Sequence, residues 1–142
     1  FNSTEGVLYF EGSAISNDST NKRISLSDSG SANRIILTFA NNTINYRLVS
    51  GGLLGANIVY NSDTTINKKY AITWKLNEFK FWVNGIQVGT NTNGAVFPSN
   101  TLSEFNLAGF SGISDPFYGK VKALAVFNEA LTDAELLCLT TI

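Results

Sequence analysis

Apolar and polar residues alternate in short blocks along most of this chain, with a period of two. Alternation of that kind places one set of side chains on each face of a strand. The blocks predict strands near Gly6–Gly12, Arg23–Asp28, Asn33–Ala40, Thr43–Ser50, Ala56–Asn61, Lys69–Leu76, Glu78–Asn84, Ile86–Gly89, Ser103–Ala108 and Tyr118–Phe127. Clusters of Asn, Ser, Asp and Gly separate them, as turns require. Asn84-Gly85 suits a type I′ hairpin, because both residues tolerate positive φ. Ala40–Asn42 and Leu76-Asn77 read as tight links, Asp28–Asn33 as a turn, and Asn91–Leu102, with Pro98, as a surface loop.

The inward set reads as Leu8, Phe10, Ile35, Leu37, Phe39, Ile44, Tyr46, Leu48, Ile58, Tyr60, Ile72, Trp74, Phe79, Phe81, Val83, Leu107, Leu124 and Val126. One helix is predicted, in "LTDAELLCL". There Thr132 and Glu135 form a T-x-x-E capping box, and Leu136, Leu137 and Leu139 supply a packing face. Many evenly spaced strands with one short terminal helix predict an all-β fold of two packed antiparallel sheets, occupying residues 1–142 as a single domain.

One position breaks the pattern. In "EFKFWVNGIQVG", Phe79, Phe81 and Val83 form the apolar side, yet Trp82 stands on the polar side between Lys80 and Asn84. Other strands carry outward polar or aromatic residues too: Tyr9, Glu11, Asn45, Arg47 and Asn57. If these share a face with Trp82 and Lys80, they form a saccharide platform. Sugar C–H faces stack on aromatic rings, and hydroxyls pair with amides, carboxylates and guanidinium groups. The alternative is that a loop such as Asn91–Leu102, or a neighbouring subunit, covers Trp82. Phe110, Phe117 and Tyr118 form a second aromatic set; Phe117 and Tyr118 are rim-loop candidates for ligand contact, with anchoring of the loop against the sheet edge as the competing reading.

Composition narrows the chemistry. The 142 residues are 44% hydrophobic and 15% charged, which fits a globular domain with a core. The net charge is -1 and there is no basic run, which argues against a nucleic-acid footprint or a polybasic membrane patch. No apolar run reaches the roughly 18 residues of a spanning helix. The start at Phe1 suggests an excised or processed segment. Cys138 is the single cysteine and reads as a buried structural thiol. With no histidine, Ser-His-Asp and Cys-His catalysis are excluded. Glu11 and Glu78 read as lone strand carboxylates, without the facing pair that glycoside hydrolysis uses. A lyase built on Tyr with Arg or Lys is the least excluded enzyme. Asp18, Asp63 and Asp115 are candidate oxygen ligands for calcium. Zinc is disfavoured.

The segments "EGVLYFEGS", "KYAITWKLNEFKFWVNG" and "FYGKVKALAVFNEALTDAELLCLTT" together resemble laminin-G/pentraxin-like domains of the concanavalin A-like lectin/glucanase group. The resemblance is to versions in phage tail and other virion proteins and in bacterial surface proteins. It implies a two-sheet jelly-roll sandwich whose concave face often binds carbohydrate, with calcium in the rim loops of some members. The expected function is non-catalytic glycan binding or adhesion on a virion or cell-surface protein, with homo-oligomers raising avidity. The alternatives are a structural decoration domain contacting other virion proteins, and a carbohydrate-binding module of a secreted glycosidase.

Overall fold

The computed structural model describes residues 1–142. Ten strands form: β1 (Glu5–Ala14), β2 (Lys22–Ser27), β3 (Arg34–Ala40), β4 (Thr43–Ser50), β5 (Leu53–Asn61), β6 (Lys68–Lys75), β7 (Phe79–Val83), β8 (Ile86–Asn91), β9 (Glu104–Asn106) and β10 (Gly119–Phe127). One helix follows, α1 (Asp133–Thr140). The strands make two antiparallel five-stranded sheets, ordered β10-β1-β6-β7-β8 and β5-β4-β3-β2-β9. The predicted all-β sandwich with a short C-terminal helix is what the chain forms.

The apolar halves of the alternating strands meet between the sheets. Leu8, Phe10, Tyr70, Ile72, Trp74, Phe79, Phe81 and Val83 face Ile24, Leu26, Ile35, Leu37, Phe39, Ile44, Tyr46, Leu48 and Ile58 in one buried cluster. Two of the polar groups carried into it find partners, whereas the Tyr70 hydroxyl has none in the protein. Tyr46 donates its hydroxyl to the Thr73 carbonyl at 2.6 Å, across the sandwich, and Trp74 Nε1 donates to the Asn2 carbonyl at 3.1 Å. Burial drives the Tyr46 phenol far above its ordinary range.

Turn chemistry sets the hairpins. Asn84 and Gly85 both take positive φ, 48° and 80°, joining β7 to β8. Asn41 and Asn42 do the same, at 50° and 59°, between β3 and β4. Strand β5 starts earlier than the alternation predicts, at Leu53, because a bulge at Leu48/Val49 lets Val49 pair with Leu54. Glu78 precedes β7 and lies in the turn after β6, not in a strand.

Several expectations need correction. Leu107 is 45% exposed, because it lies past β9 in a loop that turns away from the core. Leu124 is 36% exposed, because β10 is an edge strand. The segment between β8 and β9 is no mere surface loop: Phe97 and Leu102 are buried in the core, and Ser3 Oγ accepts from the amides of Thr101 and Leu102 at 2.9 Å. Cys138 is exposed. Helix α1 turns Leu136 and Thr140 inward, and a residue two positions beyond Leu136 points to the opposite side.

Candidate functional site

Strand order separates the residues expected on one platform. Tyr9, Glu11, Lys80 and Trp82 lie on the outer face of the β10-β1-β6-β7-β8 sheet. Asn45, Arg47 and Asn57 lie on the outer face of the other sheet, on the far side of the sandwich. No single ligand touches both sets.

The first face is closed by the chain itself. Helix α1 lies across it, and Trp82 is buried with Val7, Ala71 and Leu136, flanked by Phe127, Leu131 and Leu139. The cover of Trp82 is thus α1, not the Asn91–Leu102 loop. Both parts of the capping box form: Thr132 Oγ1 accepts from the Glu135 amide, and Glu135 accepts from the Thr132 amide at 2.8 Å. Lys80 Nζ binds Asp133 Oδ1 at 2.7 Å and Glu78 Oε1 at 3.2 Å, fastening the helix start to β7. Partial burial pulls the Lys80 ammonium down, but the hydrogen bonds to Asp133 and Glu78 outweigh it and hold the group above its ordinary value. Tyr9 is buried and donates to Glu11 Oε2 at 3.3 Å. Burial, then the Glu11 charge, raises its phenol. Trp82, Lys80, Tyr9 and Glu11 are therefore engaged within the fold.

The second face is open and basic. Adjacent strands β2, β3 and β4 present Arg23, Arg34 and Arg47 around a pocket of about 280 Å³, with Asn21, Thr38, Thr43 and Asn45 as its neutral polar groups. Ile36 lies beside Arg47 in the ladder and Thr38 beside both Arg23 and Asn45, so register alone brings the cations together. Asn57 extends the face at its edge, accepting from Asn45 Nδ2 at 2.8 Å. The guanidinium groups are only partly satisfied. Arg34 Nη1 donates to the Ser31 carbonyl at 2.7 Å and its guanidinium lies 5.0 Å over the Phe110 ring. Arg23 Nη1 pairs with Asp115 Oδ2 at 2.6 Å. The buried Nε atoms of Arg23 and Arg34 have no partner in the protein. Burial, with Arg47 and Arg23 close by, pulls Arg34 below its ordinary value; it remains a cation at neutral pH.

The loop between β9 and β10 packs beside this pocket, where Asp115 pairs with Arg23 and Phe110 lies under Arg34. Ser25 Oγ donates to the Ala108 carbonyl at 2.9 Å and Ser27 Oγ to the Phe110 carbonyl at 2.6 Å. The Arg23 amide donates to the Asp115 carbonyl at 3.1 Å. The loop is thereby laid along β2. Beyond it lies a second depression of about 490 Å³, lined by Ser19, Thr20, Asn21, Lys22, Asp115 and Tyr118 among others. Of the two rim-loop candidates, Tyr118 is 64% exposed, whereas Phe117 packs on Phe10 and Phe39 with ring centroids 5.3 and 5.4 Å away.

The three aspartates considered for calcium are differently occupied. Asp18 binds Lys22 Nζ at 2.8 Å, and that hydrogen bond, with those from Thr20 and Ser16, holds its carboxyl far below the usual range. Asp63 caps its own turn, accepting from Thr65 N at 2.8 Å. Asp115 is held by Arg23. Nowhere do three or more Asp, Glu, His or Cys side chains converge as a metal site. No helix is long and apolar enough to cross a membrane.

Reading missed Arg23, Arg34, Thr38 and Asn21. Their signal was present: Arg34, Ile36 and Thr38 alternate with Ile35, Leu37 and Phe39, so Arg34 is outward by the same rule that placed Arg47 outward.

The fold agrees with that of known proteins. The chain belongs to the concanavalin A-like lectin/glucanases superfamily, whose laminin G family model matches residues 4–137. No curated protein sequence matches the chain significantly. Among solved structures it is similar to the CBM40 of the Ruminococcus gnavus IT-sialidase bound to α2,3-sialyllactose: TM-score 0.80, 17% identity, 98% of this chain and 83% of that one. It is also similar to the leech intramolecular trans-sialidase complexed with 2,7-anhydro-Neu5Ac (TM-score 0.77, 17% identity, 99% and 24%). A third is the NanB sialidase of Streptococcus pneumoniae (TM-score 0.75, 15% identity, 96% and 24%). At these identities the likeness is one of fold. The chain spans about a quarter of the latter two proteins.

Proposed function

We propose that this is a non-catalytic carbohydrate-binding module that holds a carboxylate-bearing sugar, a terminal sialic acid, on the outer face of the β5-β4-β3-β2-β9 sheet. The observation that carries the reading is the convergence of Arg23, Arg34 and Arg47 on one pocket with a single carboxylate, Asp115, beside them. Like charges held this close repel, and an anion among them relieves the repulsion. The guanidinium fork matches a carboxylate with two parallel hydrogen bonds. Thr38, Asn45 and Asn21 are placed for ring hydroxyls and Ile36 for a C–H face.

The architecture supports this reading, because the Ruminococcus gnavus module of the same fold is solved with α2,3- and with α2,6-sialyllactose. The same likeness favours a module of a secreted or surface glycosidase over a virion adhesin or decoration domain. Chemistry on the sugar belongs to another part of such a protein. Binding is weak per site, and several copies on one particle or chain would raise attachment. Asn45, Arg47 and Asn57 keep their place in the proposed glycan surface.

A glycan array probed with the domain tests the proposal. Expected is retention on sialylated glycans, loss on their neutral counterparts, and loss of signal in Arg34→Gln/Arg47→Gln. Equal retention on neutral glycans, or retention unchanged in the double variant, would overturn it.

A further inference from the structure

Two depressions lie side by side on this surface, and only one belongs to the arginines. They share Asn21, and the Arg23–Asp115 bridge, 2.6 Å long, forms the ridge between them. Their chemistry is opposite. The arginine pocket has three cations and no carboxylate in its lining. The larger depression, about 490 Å³, has Asp115 and one lysine, Lys22. The Lys22 ammonium is already committed: it binds Asp18 at 2.8 Å and the Thr20 carbonyl at 3.1 Å. The remaining lining is hydroxyl, amide, the Pro116 ring and one exposed aromatic ring, that of Tyr118.

We infer that the larger depression is a second saccharide subsite, which takes the neutral sugar next to the acidic one. The inference rests on the acidic-sugar reading of the arginine pocket. Tyr118 offers a free ring face to the C–H side of a pyranose. Ser19, Thr20 and Asn21 offer donors and acceptors to its hydroxyls, and Asp115 accepts a hydroxyl while repelling a second carboxylate. The ligand recognised is then an oligosaccharide lying across the bridge, with its acidic end among Arg23, Arg34 and Arg47. The bridge itself fixes the spacing. Asp115 draws Arg23 to the ridge, and the Asp115 carbonyl takes the Arg23 amide at 3.1 Å, so loop and strand move as one.

Calorimetric titration separates the two subsites. The ligands are the α-methyl glycoside of sialic acid and α2,3-sialyllactose, each against the wild type, Tyr118→Ala and Tyr118→Phe. Expected is a trisaccharide affinity about fivefold to tenfold above that of the monosaccharide in the wild type and in Tyr118→Phe, the range of an aromatic stacking contact. In Tyr118→Ala that advantage disappears while monosaccharide affinity is unchanged. A trisaccharide no tighter than the monosaccharide in the wild type overturns the second subsite and leaves the arginine pocket standing. So does a Tyr118→Ala variant that weakens both ligands alike. If neither ligand binds the wild type, the arginine pocket falls and the subsite with it.

Discussion

Replacing Trp82 with alanine distinguishes a structural tryptophan from a ligand-binding one. Trp82 is only 8% exposed, and its neighbours Val7, Ala71 and Leu136 are all fully buried. Truncating a buried Trp costs about 3–5 kcal/mol when the surroundings cannot close the gap. The lower end, about 3 kcal/mol, is expected here, because α1 is only eight residues long and can settle toward the sheet. Trp82→Phe is the sharper companion. Phenylalanine gives up about 1 kcal/mol of ring burial. It also removes Trp82 Nε1, a buried donor with no partner in the protein, whose burial costs about 1–3 kcal/mol. The two changes offset in part, so Trp82→Phe should be as stable as the wild type or up to about 2 kcal/mol more so. Urea unfolding followed by circular dichroism gives the midpoints, and titration with α2,3-sialyllactose gives affinity at low urea. The account requires Trp82→Ala to lower the midpoint and leave the affinity of the folded protein unchanged. A variant with wild-type stability and lost glycan binding would refute it.

Other perturbations have equally definite outcomes. Arg47 makes no ion pair and lies on the open face, so Arg47→Gln should weaken binding of a sialoside by about tenfold or more, the worth of a charge-assisted hydrogen bond. Its melting temperature should barely move, and raising the salt should weaken the wild type more than the variant. Thr132→Ala removes the capping box and should destabilise α1 by about 1 kcal/mol. The emission of Trp82 should then shift to the red before global unfolding in urea. The carboxyls of Asp18, Asp28, Asp63 and Glu135 are held below their ordinary values by hydrogen bonds, chiefly from Lys22, Asn33, Thr65 and Thr132 respectively. Stability from such groups is present above the unfolded values near pH 4 and is lost as pH falls through the folded ones. The melting temperature should therefore decline below about pH 4. Asp18→Asn should start lower at neutral pH, since buried Lys22 loses its partner, and decline less steeply in acid.

The strands were legible because alternation is a local signal: each block carried its own apolar face, and Asn84-Gly85 carried its own turn. The helix was legible for the same reason, since a capping box spans only four residues. What alternation cannot give is the neighbour of each strand. Trp82 and Arg47 are both outward, but β7 and β4 belong to different sheets, so one faces α1 and the other faces solvent. Contacts distant in sequence decided the rest. The partners of Ser25 and Ser27 lie in a loop 83 residues further on, which no local pattern marks. Arg23 and Arg34 became a site only through ladder register with each other's strands.

The placement of the glycan on the arginine face is tested most directly by amide chemical shifts in the ¹⁵N-labelled domain, titrated with α2,3-sialyllactose. The account predicts saturating shifts for Arg23, Arg34, Thr38, Asn45 and Arg47, with Tyr9, Lys80, Trp82 and the amides of α1 unmoved. Shifts confined to the helix-covered sheet, or no saturable shifts at all, would contradict it.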